Sequence, residues 1–234
     1  MFGQHGERQD HSGVLQTKMS DYDLLAKYVQ DESAPMRSYV FDADYDTVAD
    51  RYQFEITFNP NSITKIFLDL IPQYGKTCLD VGMAFGAQYF ALQRQYPDVV
   101  WTGVDIIQTY IDKFQARGGK GDTLLVNSYL PMPEIKDNAF DVVTSRSALN
   151  HYSPGHGFGI INEMLRIASK AVIIKFIQPH ARWFTAYSYD DSHRGSMRMN
   201  VVWTEKQWRE YIKDKKATGF GKEYGYDFVW VLEK

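Results

Sequence analysis

Thr77-Cys78-Leu79-Asp80-Val81-Gly82-Met83-Ala84-Phe85-Gly86 joins a short apolar run, an acid near its end and a turn of small residues. Strand, Gly-x-small-x-Gly turn and helix together are how an α/β sheet brings backbone N–H groups up to a nucleotide-like ligand. Asp105 closes the next apolar run, about twenty residues further on, where an acid accepts hydrogen bonds from both hydroxyls of a ribose. Asn127-Ser128 closes the third. An amide oxygen there can accept from an adenine amino group, with a backbone N–H for a ring nitrogen. Asp80 sharpens the choice of ligand: beside the turn, a carboxylate repels a pyrophosphate and attracts an ammonium. A nicotinamide site is also disfavoured by the glycines. Aligned to Gly-x-Gly-x-x-Gly, the chain offers Gly82, Ala84 and Ala87.

Two further groups of residues could act on a second ligand. His151 follows the fourth apolar run, at the sheet's carboxyl edge, and an imidazole is the natural base for a hydroxyl or ammonium near neutral pH. A histidine that fixes its loop by bonding to backbone has the same sequence signature, and both readings stand. Gln178 to Val202 is too long for an ordinary αβ connection of about 2–6 residues. It carries His180, Arg182, Trp183 and Tyr187, then Tyr189, Asp190, Asp191, His193 and Arg194. Its place after the fifth strand puts it over the cleft, so the first four are expected at the substrate. Asp190, Asp191 and His193 have no matching cluster elsewhere, and no metal is expected.

The elements that must hold these residues are read from apolar spacing. Residues 1–20 are polar and aperiodic, as in a disordered tail. Residues 21–74 read as an N-terminal helical cap or lid. Its last helix opens at Asn59-Pro60, carries Ile63, Ile66, Phe67 and Leu70 on one face, and stops before Pro72. Residues 75–234 form the core, with 178–202 as an insertion. Strands are expected at Cys78–Val81, Val99–Ile106, Thr123–Val126, Phe140–Ser145 and Ala171–Ile177. Helices are expected after Gly86, over Thr109–Ala116 and over Ile160–Ile167, with His156 left on a Gly-rich connection. Thr204-Glu205-Lys206-Gln207 is a capping box that starts a helix through Trp208, Tyr211 and Ile212. Phe220–Tyr224 and Asp227–Leu232 make a closing strand pair. Repeated βα units require a parallel sheet wrapped on both faces, a doubly wound Rossmann-like arrangement.

Composition narrows the class. The chain has 234 residues, 44% hydrophobic and 24% charged, which suits one globular α/β domain. The aromatic share of 15% suggests a full core and an aromatic cleft. A net charge of −3 argues against gripping nucleic acid phosphates. Cys78 is the single cysteine, so neither an intrachain disulfide nor a cysteine zinc site can form. No apolar run reaches membrane-spanning length and no signal-peptide core opens the chain, so a cytoplasmic protein without membrane contact is expected.

The ordered motifs resemble the class I S-adenosylmethionine-dependent methyltransferases, especially their small-molecule branch. Leu79-Asp80-Val81-Gly82-Met83-Ala84-Phe85-Gly86 is similar to the family's first motif, Leu-Asp-Val-Gly-Cys-Gly-x-Gly, with Ala84 where a second glycine is usual. Val104-Asp105-Ile106 resembles the second motif. Phe140-Asp141-Val142-Val143 with Ala148-Leu149-x-His151 resembles the fourth-strand motif. Asn162 to Ile167 and Ala171 to Ile174 resemble the helix and strand that follow. The resemblance implies a seven-stranded sheet whose last strand runs antiparallel. It implies S-adenosyl-L-methionine as cofactor, with S-adenosyl-L-homocysteine as product. Asp80 would face the methionine ammonium, and Gly82, Met83, Ala84 and Gly86 would give close backbone approach. Asp105 would take the ribose, Ile106 would flank the adenine, Asn127 and Ser128 would meet its edge, and Ser145 would lie near the methionine. Asn127 stands where aspartate is commoner. The activity implied is methyl transfer to oxygen or nitrogen of a small-molecule acceptor. The alternative is a catalytically silent, methyltransferase-like binding or partner subunit. Nucleic-acid methylation is disfavoured, since Ser145-Arg146-Ser147-Ala148 stands where an Asn/Asp-Pro-Pro-Tyr/Phe motif would be.

Overall fold

The structure is a computed structural model that describes residues 63–152, 154–175, 205–223 and 226–234. All of them lie within one unit, Pro35–Lys234. The expected tail, most of the expected cap and the whole 178–202 insertion lie outside the described residues.

Five helices and seven strands are described: α1 (Ile63–Tyr74), β1 (Thr77–Val81), α2 (Ala87–Gln95), β2 (Val100–Asp105), α3 (Gln108–Ala116), β3 (Asp122–Leu125), β4 (Phe140–Arg146), α4 (Pro154–Ile167), β5 (Ala168–Lys175), α5 (Glu205–Ile212), β6 (Lys216–Glu223) and β7 (Tyr226–Glu233). They build one sheet in the order β3-β2-β1-β4-β5-β7-β6. β1 to β5 run parallel, and β7 lies antiparallel to both β5 and β6. The last strand of the chain is therefore the reversed one, and it sits second from the sheet's edge. The order reverses direction between β1 and β4, and such a switch point opens a crevice at the carboxyl ends of the strands.

Strand alternation divides the core. Cys78, Val142, Ala171, Ile173, Val229 and Val231 point to one face. There they meet Phe67, Leu68 and Ile71 of α1, Ala91 and Leu92 of α2, and Ile111 and Phe114 of α3. Leu79, Val143, Val172, Ile174 and Leu232 alternate to the other face and are equally buried. Residues 63–74, read from sequence as the end of the cap, are thus a wall of this core.

Several boundaries differ from expectation. The first helix does not stop before Pro72 but runs through it to Tyr74. Pro72 falls in the last turn, where Gln73 Nε2 bonds the Asp69 carbonyl at 2.9 Å and the Gly75 N–H bonds that of Ile71 at 3.3 Å. α4 begins at Pro154 and not at Ile160. Proline suits a first helical position, whose N–H has no partner to lose. Gly159 brings the helix close to the preceding loop, since a Cβ there would stand 2.6 Å from Leu130 Cδ2. His156 is consequently helical. β6 begins at Lys216 and not at Phe220, because an edge strand needs no continuous apolar face: Lys216 pairs with Glu233, and Gly219 lies opposite Trp230.

Asp141 of the Phe-Asp-Val-Val motif works at the far edge of the sheet. Its Oδ2 accepts the N–H groups of Lys76 and Thr77 at 2.9 and 3.2 Å, its Oδ1 meets Lys170 Nζ at 2.9 Å, and its own N–H bonds Thr77 Oγ1. Lys170 and the Lys76 amide together hold this carboxyl down at about 2.

Candidate active site

β1 ends in a turn that needs unusual backbone angles. Gly82, Ala84 and Gly86 have φ of +77°, +46° and +72°. Glycine meets these angles without strain, whereas Ala84 carries a Cβ in the left-handed region at a cost of about 1 kcal/mol. The alanine at this position is therefore felt in the backbone.

The turn's donors are used internally. The N–H groups of Gly82 and Met83 both bond the Val104 carbonyl, at 2.9 and 3.1 Å, and the Ala84 N–H bonds Asp105 Oδ2 at 2.9 Å. The expectation that the turn presents these N–H groups to a ligand is corrected on this point: β2 runs alongside and takes them. What the turn offers is proximity. A Cβ on Gly82 would stand 2.4 Å from the Cβ of Ala148. Ala148 arrives there because Ser147 turns the chain with φ +64° after β4, and its N–H ties to the Lys175 carbonyl at 3.0 Å.

Two acids flank this turn, both almost wholly buried: Asp80 is 2% exposed and Asp105 is 3% exposed. Burial, then the negative charge of Asp105, pushes Asp80 up to about 8, with the Trp101 indole and the Thr144 hydroxyl offsetting a part. Burial lifts Asp105 to about 6, against the lowering effect of the Ala84, Ile107 and Ile106 amides and the Tyr129 hydroxyl. Thr144 stands opposite Asp80 in the β1–β4 register and accepts from Gln88 Nε2 at 2.8 Å. The Gln88 Oε1 beyond it is a buried acceptor without a hydrogen bond. Two buried carboxylates and an unused amide oxygen form an environment suited to a positively charged hydrogen-bond donor.

The remaining sequence-selected residues fall as follows. The Met83 side chain packs in the core, with only its backbone in the turn. Ile106 is half-buried directly past β2, and Asn127 is exposed two residues past the end of β3. The Ser128 hydroxyl bonds both main-chain groups of Leu130, at 2.9 and 3.0 Å. Ser145 is buried and donates to the Val81 carbonyl at 3.1 Å, pinning the end of β1 to β4. His151 ends a 3₁₀ turn, Ala148–His151, at the carboxyl edge of β4, and its side chain lies outside the described residues. His180, Arg182, Trp183 and Tyr187 lie outside them too. The fold thus gathers Asp80, Gly82, Ala84, Asp105 and Ser145 around the ends of β1, β2 and β4. The sequence reading missed Gln88, which sits unremarked in a helix, and Tyr129, whose signal was an aromatic directly after Asn127-Ser128. Among the described residues no group of His, Cys, Asp and Glu is placed to hold a metal ion, and no helix is long and apolar enough to cross a membrane.

A mostly parallel sheet with helices around it and a switch point at β1/β4 define a Rossmann-like fold. Residues 78–171 match the family described as "Methyltransferase domain". The described sheet has the fold of the class I S-adenosylmethionine-dependent methyltransferases, and the methyltransferase-domain match lies at its centre. No curated protein matches it in sequence. Solved structures share the fold at low identity. A putative O-methyltransferase from Nostoc punctiforme aligns over 92% of this chain and 69% of its own, with 13% identity and a TM-score of 0.57. Magnesium protoporphyrin IX methyltransferase from Synechocystis, solved with bound S-adenosylmethionine, aligns over 98% of both chains with 12% identity and a TM-score of 0.50. A putative methyltransferase from Haloferax volcanii, in complex with the Trm112 methyltransferase activator, aligns over 81% of this chain and 95% of its own, with 15% identity and a TM-score of 0.53.

Proposed function

We propose that this protein binds S-adenosyl-L-methionine and transfers its methyl group to an oxygen or nitrogen of a small-molecule acceptor. The observation that carries the reading is the pair of buried acids, Asp80 and Asp105, on either side of a turn whose first three N–H groups are already spent. Such a turn has little to offer a phosphate and much to offer a ligand with a cationic amino acid end and a ribose diol. The bound cofactor supplies a methyl group on a positively charged sulfur, and transfer is an in-line displacement for which positioning provides much of the acceleration.

Each residue's part follows from its place. Asp80, with the Gln88 amide oxygen nearby across Thr144, receives the methionine ammonium. Asp105 receives the ribose hydroxyls. Gly82, Met83, Ala84 and Gly86 admit the cofactor's body against bare backbone, and Ser145 holds the floor beneath its methionine end. Ile106 flanks the adenine, with Asn127 and Ser128 at its edge. His151, at the carboxyl edge of β4, takes the proton of a hydroxyl or ammonium acceptor. The 178–202 insertion supplies His180, Arg182, Trp183 and Tyr187 to the acceptor.

Calorimetric titration of the full chain with S-adenosyl-L-homocysteine tests the cofactor half directly. The wild type is expected to bind. Asp105→Ala is expected to bind at least about ten-fold more weakly, from the loss of charge-assisted hydrogen bonds. A wild-type titration without heat would sink the reading.

A further inference from the structure

Thr144 decides which end of a buried amide is left over for a ligand. It lies on β4 opposite Asp80 in the register with β1, and it is wholly buried. Its Oγ1 donates to the Leu79 carbonyl at 3.2 Å and stands 2.8 Å from Gln88 Nε2. A hydroxyl has one proton and two acceptor sites. With that proton committed to Leu79, Thr144 can only accept from Gln88. The amide must therefore turn its nitrogen to Thr144 and its oxygen away. The Cys78 thiol, 3.7 Å from the same hydroxyl oxygen, leaves this unchanged. Burial pushes the thiol up and keeps it protonated, so it too arrives as a donor.

The amide oxygen is thereby an acceptor with nothing to accept. Gln88 is 4% exposed, and among the described residues its Oε1 is a buried acceptor without a hydrogen bond. Folded chains keep few such groups, because an unpaired buried acceptor is costly. Gln88 is the second residue of α2, immediately behind the glycine turn that Gly86 closes. Thr144 sets this amide on one side and has Asp80 on the other. A donor that serves both the Asp80 carboxyl and Oε1 needs at least two N–H groups and favours positive charge, and a primary ammonium carries three.

We propose that Thr144 is a positioning residue: through the Gln88 amide it turns an oxygen, and not a nitrogen, toward the cationic amino group that Asp80 receives. The Leu79 carbonyl, the Thr144 hydroxyl and the Gln88 amide form a directed chain in which each step sets the next, and the chain ends on an acceptor. A reversed amide would confront an ammonium with its own NH₂. The device selects a ligand with a free amino group over one without. The inference rests on the cofactor reading given above.

The test titrates the full chain calorimetrically with S-adenosyl-L-homocysteine and with 5′-methylthioadenosine, which has the adenosine and the sulfur but no amino acid. Thr144→Val and Gln88→Met are each expected to bind S-adenosyl-L-homocysteine about ten-fold more weakly, the factor of one hydrogen bond to a charged group. Both are expected to bind 5′-methylthioadenosine as the wild type does. Thr144→Ser, which restores the hydroxyl, is expected to recover wild-type affinity. The double variant should bind no more weakly than Gln88→Met alone, since Thr144 acts through the amide. A Thr144→Val loss that is equal for both ligands, or that adds in full to the Gln88→Met loss, overturns the inference. Gln88→Met leaves Thr144 in place, so undiminished binding by that variant overturns it even where Thr144→Val fails a thermal melting check. In each of these cases the wild type still binds and the cofactor reading stands. A wild-type titration without heat overturns both.

Discussion

A carboxylate buried without a cation prefers its proton, and Asp80 shows the consequence for binding. With its carboxyl lifted to about 8 by burial and by Asp105, the unliganded protein holds that proton at neutral pH. An ammonium ligand selects the ionised form, so binding releases a proton below about pH 8. Affinity for S-adenosyl-L-homocysteine is therefore expected to fall as pH drops from 8 toward 6, by up to about ten-fold per unit. Titrations in buffers of different ionisation enthalpy would reveal the released proton. In Asp80→Asn the affinity is expected to be weaker at pH 8 and nearly flat with pH over the same window. A wild-type affinity independent of pH would mean that Asp80 does not face the ammonium.

The long connection from β3 to β4 carries Asn127 and Ser128, the residues that the proposed reading sets at the adenine edge. It has little regular structure, so its shape comes from buried anchors. Met132 and Ile135 are inserted in the core. Glu163 on α4 accepts the Met132 N–H at 2.8 Å, and Arg166 one turn on bonds the carbonyls of Met132 and Ile135 at 3.1 and 2.8 Å while pairing with Glu163 and Asp137. The arginine thus holds both the loop and the acid that holds the loop. Glu163→Ala leaves a buried amide and a half-buried guanidinium without their partner. It is expected to destabilise the protein by about 2 kcal/mol, read from denaturant unfolding. It should also weaken S-adenosyl-L-homocysteine binding, because Ser128 and Tyr129 open this same connection. A variant with full binding and unchanged stability would show that the loop is anchored elsewhere.

At the scale of the whole molecule, stability and function pull against each other at the glycine turn. Asp80 and Asp105 titrate higher in the folded protein than in an unfolded chain, so between about pH 4 and pH 8 the native state binds more protons. Stability contributed by these acids is present at low pH and is lost as pH rises through 6 and then 8. Asp141 behaves oppositely: its carboxyl is held down, so its contribution is present above about pH 4 and lost as pH falls through 2. The unliganded protein is expected to melt highest near pH 5 and progressively lower toward pH 8. Asp80→Asn is expected to remove most of that decline and to raise the midpoint at pH 8 by several degrees. Thermal scans across pH would check both, and a variant melting below wild type at pH 8 would contradict the assignment.

The alternation of short apolar runs with amphipathic helices was enough, read along the chain, to determine a parallel sheet wrapped on both faces, because period and run length are local properties. The same reading located Asp80, the glycine turn and Asp105, since strand ends and turn residues are written in residue type. It could not place Pro72, Pro154 or the start of β6, where tertiary partners override local preference: a capped last turn, a close helix–loop approach and an edge strand beside Glu233. Nor could it see that the turn's N–H groups are taken by the Val104 carbonyl and the Asp105 carboxylate. That depends on which strand runs beside which. Sequence fixes what each group can donate or accept, and only the folded chain decides which of those capacities is still available to a ligand.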